Sequence, residues 1–469
     1  MEFSDDFFDS ESNSFFDDEE LKSKVKECKE YVSNGQTIAY LNNIEETIQL
    51  CLEYDFVEDG IFLVEAALEI SPYNSELWHS KGIFHNNQFN FEQAYYCFEK
   101  SLSLNPTDVE AMINKSIAED NLGLWESAVK SLKTALTLEP HNEEAIFNLG
   151  ILYERKDNFA KAIEYFKQTV YLDEKYTDAW YELGYCYESN NQLQEALDAY
   201  EKFLELDPYS ASGRYNRGIV YLKLGENIKA SGCFDLATSI NENFVNAWYN
   251  GGIAYLNLNR LVDAKNSFLK AFQLDPFDDS IALNLAQTCE SIGDYESAIK
   301  YYNATININK LSLEAYIGRG NCFARKNNFS LALENFAMIL KVALAQEVEV
   351  LSSKENDEHL ISLFNKIEYY NNLQNLSAEE LNDLGNAYFN LGDWQNAFKV
   401  FKKSINLNPE NSLAHYGKAL CLIMLNKYQD ALDNLQIAFE LNTNLERLFL
   451  EKFPSLDSTQ LYIKITSTL

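Results

Sequence analysis

Residues 177–210 read TDAWYELGYCYESNNQLQEALDAYEKFLELDPYS, and residues 245–278 read VNAWYNGGIAYLNLNRLVDAKNSFLKAFQLDPFD. With Thr177 and Val245 as position 1, both stretches carry Trp at position 4, Gly at 8, Tyr at 11, Ala at 20 and a ring at 24. Each then closes on Asp-Pro at 31 and 32. Positions 4, 7, 8 and 11 (Trp180, Leu183, Gly184, Tyr187; Trp248, Gly251, Gly252, Tyr255) follow the i, i+3, i+4, i+7 spacing of one helix face. That spacing predicts a first helix, A, and the Ala and ring further on predict a second, B, packed against it.

The same register runs far beyond these two stretches. Ala94, Ala128, Ala162, Ala196, Ala230, Ala264, Ala298 and Ala332 are spaced by 34, as are Ala397 and Ala431. Pro72, Pro106, Pro140, Pro208 and Pro276 keep that spacing or its double. Alanine makes up roughly 8% of an ordinary chain, so chance does not produce this, and a period of this length indicates a stacked array. Repeats are placed at 75–108, 109–142, 143–176, 177–210, 211–244, 245–278, 279–312 and 313–346, then at 378–411 and 412–445. A divergent one occupies 41–74, with Gly60 where Ala is expected. The organisation expected is a disordered acidic and aromatic tail (1–22), N-terminal helices with the divergent repeat (23–74) and eight contiguous repeats (75–346). A helical insertion or decayed repeat (347–377), two further repeats (378–445) and a capping helix with tail (446–469) follow.

The small residues have a physical cause. Gly82, Gly150, Gly184, Gly218, Gly252, Gly320 and Gly385 stand inside helix A, where glycine costs about 1 kcal/mol relative to alanine. A cost repeated at one position predicts close approach of a neighbour, with the bulky residue at 24 (Phe98, Phe166, Tyr200, Phe234, Phe268, Tyr302, Phe336, Phe401) beside it. The residue before helix A is Asn74, Asp108, Asn142, Ser210, Asp278, Ser312, Ser377 or Asn411 in eight cases, an N-cap type. Tyr176 and Phe244 break the series, two residues after Glu174 and Glu242 replace the proline. Those two junctions are expected to be softer.

On these residues the chain resembles the tetratricopeptide repeat family, whose pattern is Trp 4, Gly 8, Tyr 11, Ala 20, Phe 24 and Pro 32. The resemblance implies an all-α fold, an α-α superhelix (a TPR solenoid) of about ten to eleven helix-turn-helix repeats, with helix A lining its concave side. It also implies protein–protein interaction as the function. The family's chaperone-tail adaptors use a two-carboxylate clamp with Lys at 5 and basic residues at 2 and 6. Here position 5 is mostly aromatic and position 2 mostly acidic, so that clamp is absent.

Charge narrows the partner. The chain has 72 acidic and 38 basic residues, for a formal net charge of −34, which repels phosphate backbones and anionic membranes. Nucleic acid is therefore not an expected partner, and no apolar run is long enough to insert in a membrane. Eight scattered cysteines without a CxxC pair fit a reducing compartment, and the cytoplasm is the expected location. There is no GxxxxGK[ST], HExxH or GxSxG motif, and the five histidines do not cluster with cysteines or acids at ligand spacing. No enzyme activity, metal or cofactor is expected.

What remains is the face of helix A that the core does not use, centred on positions 2, 6, 9 and 13. Position 6 is Asn114, Asn148, Asn216, Asn250 and Asn284. An asparagine amide donates to a peptide C=O and accepts from a peptide N–H, so a column of them holds an extended chain by its backbone. This resembles the asparagine ladder of tetratricopeptide superhelices that bind extended peptides. The alternative is that Asn here only solvates the groove. Phe147, Tyr181, Tyr215 and Tyr249 at position 5 are candidate pockets for ligand side chains, or else packing between repeats. Glu76, Glu110, Glu144, Asp178, Glu314 and Glu379 at position 2 make an acidic rim that favours basic ligands, or serve the helix dipole. The expectation is a non-enzymatic scaffold binding an extended segment of a partner protein in the concave groove. The alternatives are a structural subunit that uses its outer helical faces, or a regulatory subunit inhibited by its own acidic tail.

Overall fold

The computed structural model describes residues 18–328, 331–332, 334–342, 344, 357–373 and 375–452. Those residues are helical with turns between, and none forms a strand. They divide into two compact units, Met1–Leu224 and Gly225–Leu469. Expected structure in residues 1–17, 345–356 and 453–469 lies outside the described residues.

Each repeat is a helical hairpin. In the repeat 143–176, helix A is Glu143–Glu154 and helix B is Phe159–Leu172; in 177–210 they are Thr177–Ser189 and Leu193–Leu206. The alanine at position 20 is buried in all ten repeats. Position 8 glycine lies flat against the ring at 24: a Cβ added to Gly184, Gly252 or Gly385 would sit 2.7, 2.6 or 2.7 Å from Tyr200, Phe268 or Phe401. At these three glycines the ring leaves no room for a side chain. At Ser116 and Ala419, which have a side chain at position 8, position 24 is Leu132 or Leu435 instead of a ring, whereas Ala286 at position 8 is paired with Tyr302 at position 24.

The helix starts follow the sequence pattern closely. All eight N-cap residues, from Asn74 to Asn411, accept a hydrogen bond from a first-turn N–H through their side chains. Tyr176 and Phe244 make no side-chain cap. A second device stands in at those junctions. The Trp180 indole donates to the Glu174 carbonyl at 3.0 Å, and Trp248 donates to that of Glu242 at 2.9 Å. The Trp at position 4 is thus an N–H latch on the preceding turn as well as an apolar residue. Trp78 and Arg214 make the same bond to Pro72 and Pro208 at 2.9 and 2.7 Å.

Helix A ends at a residue in the left-handed region, always at position 15. Gly123, Gly225, Gly293 and Gly392 occupy it, as do Asn191, Asn259, Asn327 and Asn426. Asp55 takes the same conformation in 41–74, which identifies that stretch as a repeat of the same kind. Phe89 holds φ 59° there with 78% of its surface exposed, a costly choice for a bulky side chain. Gly60 replaces the usual Ala because the Phe84 ring of the next repeat occupies the space above it.

In the first unit the chain opens on helix Asp18–Ser33. Residues 18–22, assigned to the tail on sequence, are therefore helical, because Leu21, Val25 and Cys28 form one apolar face that packs on Ile44, Ile48 and Cys51. In the second unit the register break at 347–377 contains helix Asp357–Asn371, next to helix Ala378–Asn390 through Lys366–Asp383 and Asn371–Tyr388. Residues of the 331–344 segment meet the last repeat: Lys341 donates to Asn426 at 2.8 Å and Tyr428 to the Met338 sulfur at 3.4 Å. Helix Thr443–Lys452 closes the described chain, with Phe449 fully buried against Phe439.

Candidate functional site

All five position 6 asparagines are half-buried, and none points freely from the wall. Asn148 Nδ2 donates to the Glu144 carbonyl at 2.9 Å, Asn250 to that of Asn246 at 3.0 Å and Asn284 to that of Ser280 at 2.9 Å. A second set of bonds crosses between repeats. Asn216 Nδ2 donates to Tyr181 Oη at 2.8 Å and Asn284 Nδ2 to Tyr249 Oη at 3.1 Å, while Asn114 Nδ2 meets His79 Nε2 at 3.0 Å. Position 5 of one repeat is thus bonded to position 6 of the next.

This placement revises the helical-wheel expectation. Position 6 is not diametrically opposite the core; it leans on the preceding repeat, as the burial of Ser80 and the contact of Gly318 with the Tyr302 ring also show. Position 5 lies in packing. Phe147 sits 5.5 Å from the Phe166 ring and 5.0 Å from Tyr176, Tyr181 lies 5.1 Å from Phe203, and Tyr249 lies 5.7 Å from Phe268. Tyr215 is half-buried at the corresponding place. These rings line the wall between repeats rather than open pockets. The partners were hidden from single-helix arithmetic because they stand 35 residues apart, one repeat plus one residue.

Beside the column, in the first unit, the A helices enclose a cleft of about 1070 Å³. Glu53, Glu76, Asp108, Glu110, Glu139 and Glu144 line it, and no Lys or Arg does. Burial first, then the charge of Glu110, pushes the Glu144 carboxyl above its ordinary value. Three of these acids come from position 2; Asp108, read on sequence only as an N-cap, and Glu139, not singled out there, come from the turns. His79, Ser80, Ile83 and Ile113 supply the rest of the central wall.

At repeat 177–210 the column holds Glu182 instead of asparagine. Glu182 is hydrogen-bonded to Glu154 of the preceding repeat. Burial, reinforced by the charge of Glu154, raises the Glu182 pKa to about 8. Burial likewise raises the Glu154 carboxyl, so both groups of the pair favour the protonated form more than an exposed carboxyl does.

Among the described residues no group of three or more His, Cys, Asp or Glu is arranged to hold a metal, and no helix is long and apolar enough to cross a membrane. All eight cysteines are free and buried, on small positions inside the stack.

Comparison with known proteins places these repeats. Models described as "Tetratricopeptide repeat" match residues 75–108, 113–177, 177–210, 199–230 and 249–311. A model described as "Anaphase-promoting complex, cyclosome, subunit 3" matches 362–438. The chain is 28% identical over 181 residues to stress-induced-phosphoprotein 1 of Caenorhabditis elegans, covering 37% of this chain and 55% of that protein. It is 27% identical over 191 residues to a TPR repeat-containing protein of Methanocaldococcus jannaschii, covering 35% and 33%. The chain thus spans about half of the nematode protein and a third of the archaeal one. Among solved structures, MamA is 28% identical over 34% of this chain and 94% of its own, with a TM-score of 0.34. YrrB, described as a TPR protein with an unusual peptide-binding site, is 22% identical over 40% and 96%, with a TM-score of 0.37.

Proposed function

Because this chain is a tetratricopeptide-repeat protein, we propose that it is a non-enzymatic scaffold that holds an extended, basic segment of a partner protein along the A-helix wall. The observation that carries this reading is the orientation of the position 6 amides. Asn148 and Asn284 direct Nδ2 at a backbone carbonyl, which only accepts, so Oδ1 is turned the other way. The Oδ1 atoms of Asn114, Asn148, Asn216 and Asn284 have no hydrogen-bond partner among the described residues. In the first unit Asn114, Asn148 and Asn216 thus offer a row of acceptors fitted to peptide N–H groups, and in the second unit Asn284 offers the same acceptor. One Nδ2 donor of each of these amides is used within the wall, and both are at Asn284.

The six carboxylates of the adjoining cleft supply charge for Lys and Arg side chains of the guest. Each rung contributes about 0.5–1.5 kcal/mol net. Replacing Asn114, Asn148 and Asn216 together by Ala is expected to weaken a captured partner's binding by about 10- to 1000-fold. Tyr181→Phe, which removes only a wall contact, is expected to leave affinity close to that of the wild type. Unchanged affinity of the triple variant, measured by titration calorimetry, removes the ladder from the account.

A second reading, a structural subunit that assembles through its outer faces, is favoured by the match of residues 362–438 to the anaphase-promoting complex subunit 3 model. Inhibition by the acidic tail concerns residues outside those described.

A further inference from the structure

On its helix-B side, the second unit carries a groove of about 640 Å³. Its walls are helices Asp357–Asn371 and Trp394–Leu407, and its floor is helix Ala378–Asn390. Leu381, Leu384 and Val400 make the base apolar, and Lys399 and Lys403 stand on the rim. Among the described residues no Asp or Glu lines it, in a chain where acids outnumber bases 72 to 38. Helix Trp394–Leu407 carries Lys399, Lys402 and Lys403 and no acid at all. Neither Lys399 nor Lys403 has an ion-pair partner among the described residues; Lys399 Nζ donates only to Asn396 Oδ1, at 3.3 Å.

The first unit has a groove cut at the same repeat positions, of about 480 Å³, over Trp180 and Leu183. There, positions 19 and 22 are Glu195 and Asp198, where the second unit has Asn396 and Lys399. That groove is also lined by Glu174, Lys167 and Lys202, the last at the position of Lys403, so its rim is mixed in sign, whereas lysines are the charged side chains of the second unit's rim. The positive rim is therefore a property of these side chains and not of the fold.

We propose that the groove over Ala378–Asn390 is a docking site for an acidic segment of a partner protein that also carries bulky apolar side chains. Its carboxylates meet Lys399 and Lys403, and its apolar side chains fill the base between Leu381, Leu384 and Val400. The charge requirement is the reverse of that of the acidic cleft in the first unit, so the two sites take different segments.

The test is fluorescence anisotropy on the full chain, with a labelled peptide in which aspartates flank paired phenylalanines. Lys399 and Lys403 are exposed, so K399E/K403E retains the fold, which circular dichroism verifies. This variant is expected to lose about 10-fold or more in affinity, and added salt is expected to weaken the wild-type complex. Leu407→Ala, at an exposed lining residue, is expected to weaken binding without charge change. The triple asparagine variant is expected to bind as the wild type does, which separates this site from the inner wall. Binding unaffected by K399E/K403E, equal binding of a peptide with Phe replaced by Ala, or no binding to the wild type would each overturn the proposal.

Discussion

Repeats 177–210 and 378–411 lie in different units and are alike inside and unlike outside. Inside, Gly184 meets Tyr200 as Gly385 meets Phe401, and Ala196 and Ala397 are both fully buried. At the helix start, the Trp180 indole latches the turn before an uncapped Tyr176, whereas Ser377 forms a capping box with Glu380. At position 6, Glu182 is half-buried against Glu154, while Asp383 is exposed and paired with Lys366. On the outer side the rim changes from mixed charge, with Glu195 and Asp198 beside Lys167 and Lys202, to lysines. One contact, small residue on ring, admits a single solution in both repeats. Helix starts and surfaces admit several, because different groups meet the same hydrogen-bonding or solvation need.

The shared contact is the place to break both repeats at once. Gly184→Val and Gly385→Val are each expected to cost about 1–3 kcal/mol by overpacking, seen as a lower melting temperature. Adding Tyr200→Leu to Gly184→Val is expected to recover part of the loss, as the Ser116–Leu132 pairing suggests. A loss in one repeat and none in the other contradicts the claim that the contact is common to both.

The different helix starts sharpen the comparison. Trp180→Phe and Ser377→Ala are each expected to cost about 1 kcal/mol locally, read as faster hydrogen exchange of the first-turn amides of their own helix. Faster exchange after Ser377→Ala alone would make Tyr176 a junction with no latch.

The smallest effect concerns pH. Glu182 has a folded-state pKa raised to about 8, above its unfolded value. Its stabilisation is therefore complete below the ordinary carboxylate range and is lost as pH rises through about 8. Melting of the wild type is expected to fall over that window more than melting of Glu182→Gln. Parallel profiles would show that the Glu154–Glu182 pair carries no retained proton.

Much of this architecture is legible in the residues themselves. The spacing of Ala94 through Ala332 locates the helix pairs, and the types at Asn74 through Asn411 locate their starts, because each answers a requirement met within one hairpin. The left-handed position 15 escaped notice because Gly, Asn, Asp and Phe all occupy it. The Trp180 latch escaped because an indole in an apolar series reads as packing. The Tyr181–Asn216 and Tyr249–Asn284 bonds lie between repeats, so a wheel drawn for one helix cannot contain them. The basic rim at Lys399 and Lys403 takes its meaning only from the carboxylates that the other groove has and this one lacks.

The central claim, that the partner lies along the A-helix wall, is tested most directly by carboxyl-to-amine cross-linking of the complex followed by mass spectrometry. The account predicts partner lysines coupled to Glu76, Glu110 and Glu144 of the acidic cleft. Coupling confined to Glu195 and Asp198 on the helix-B side, with none in the cleft, would contradict it.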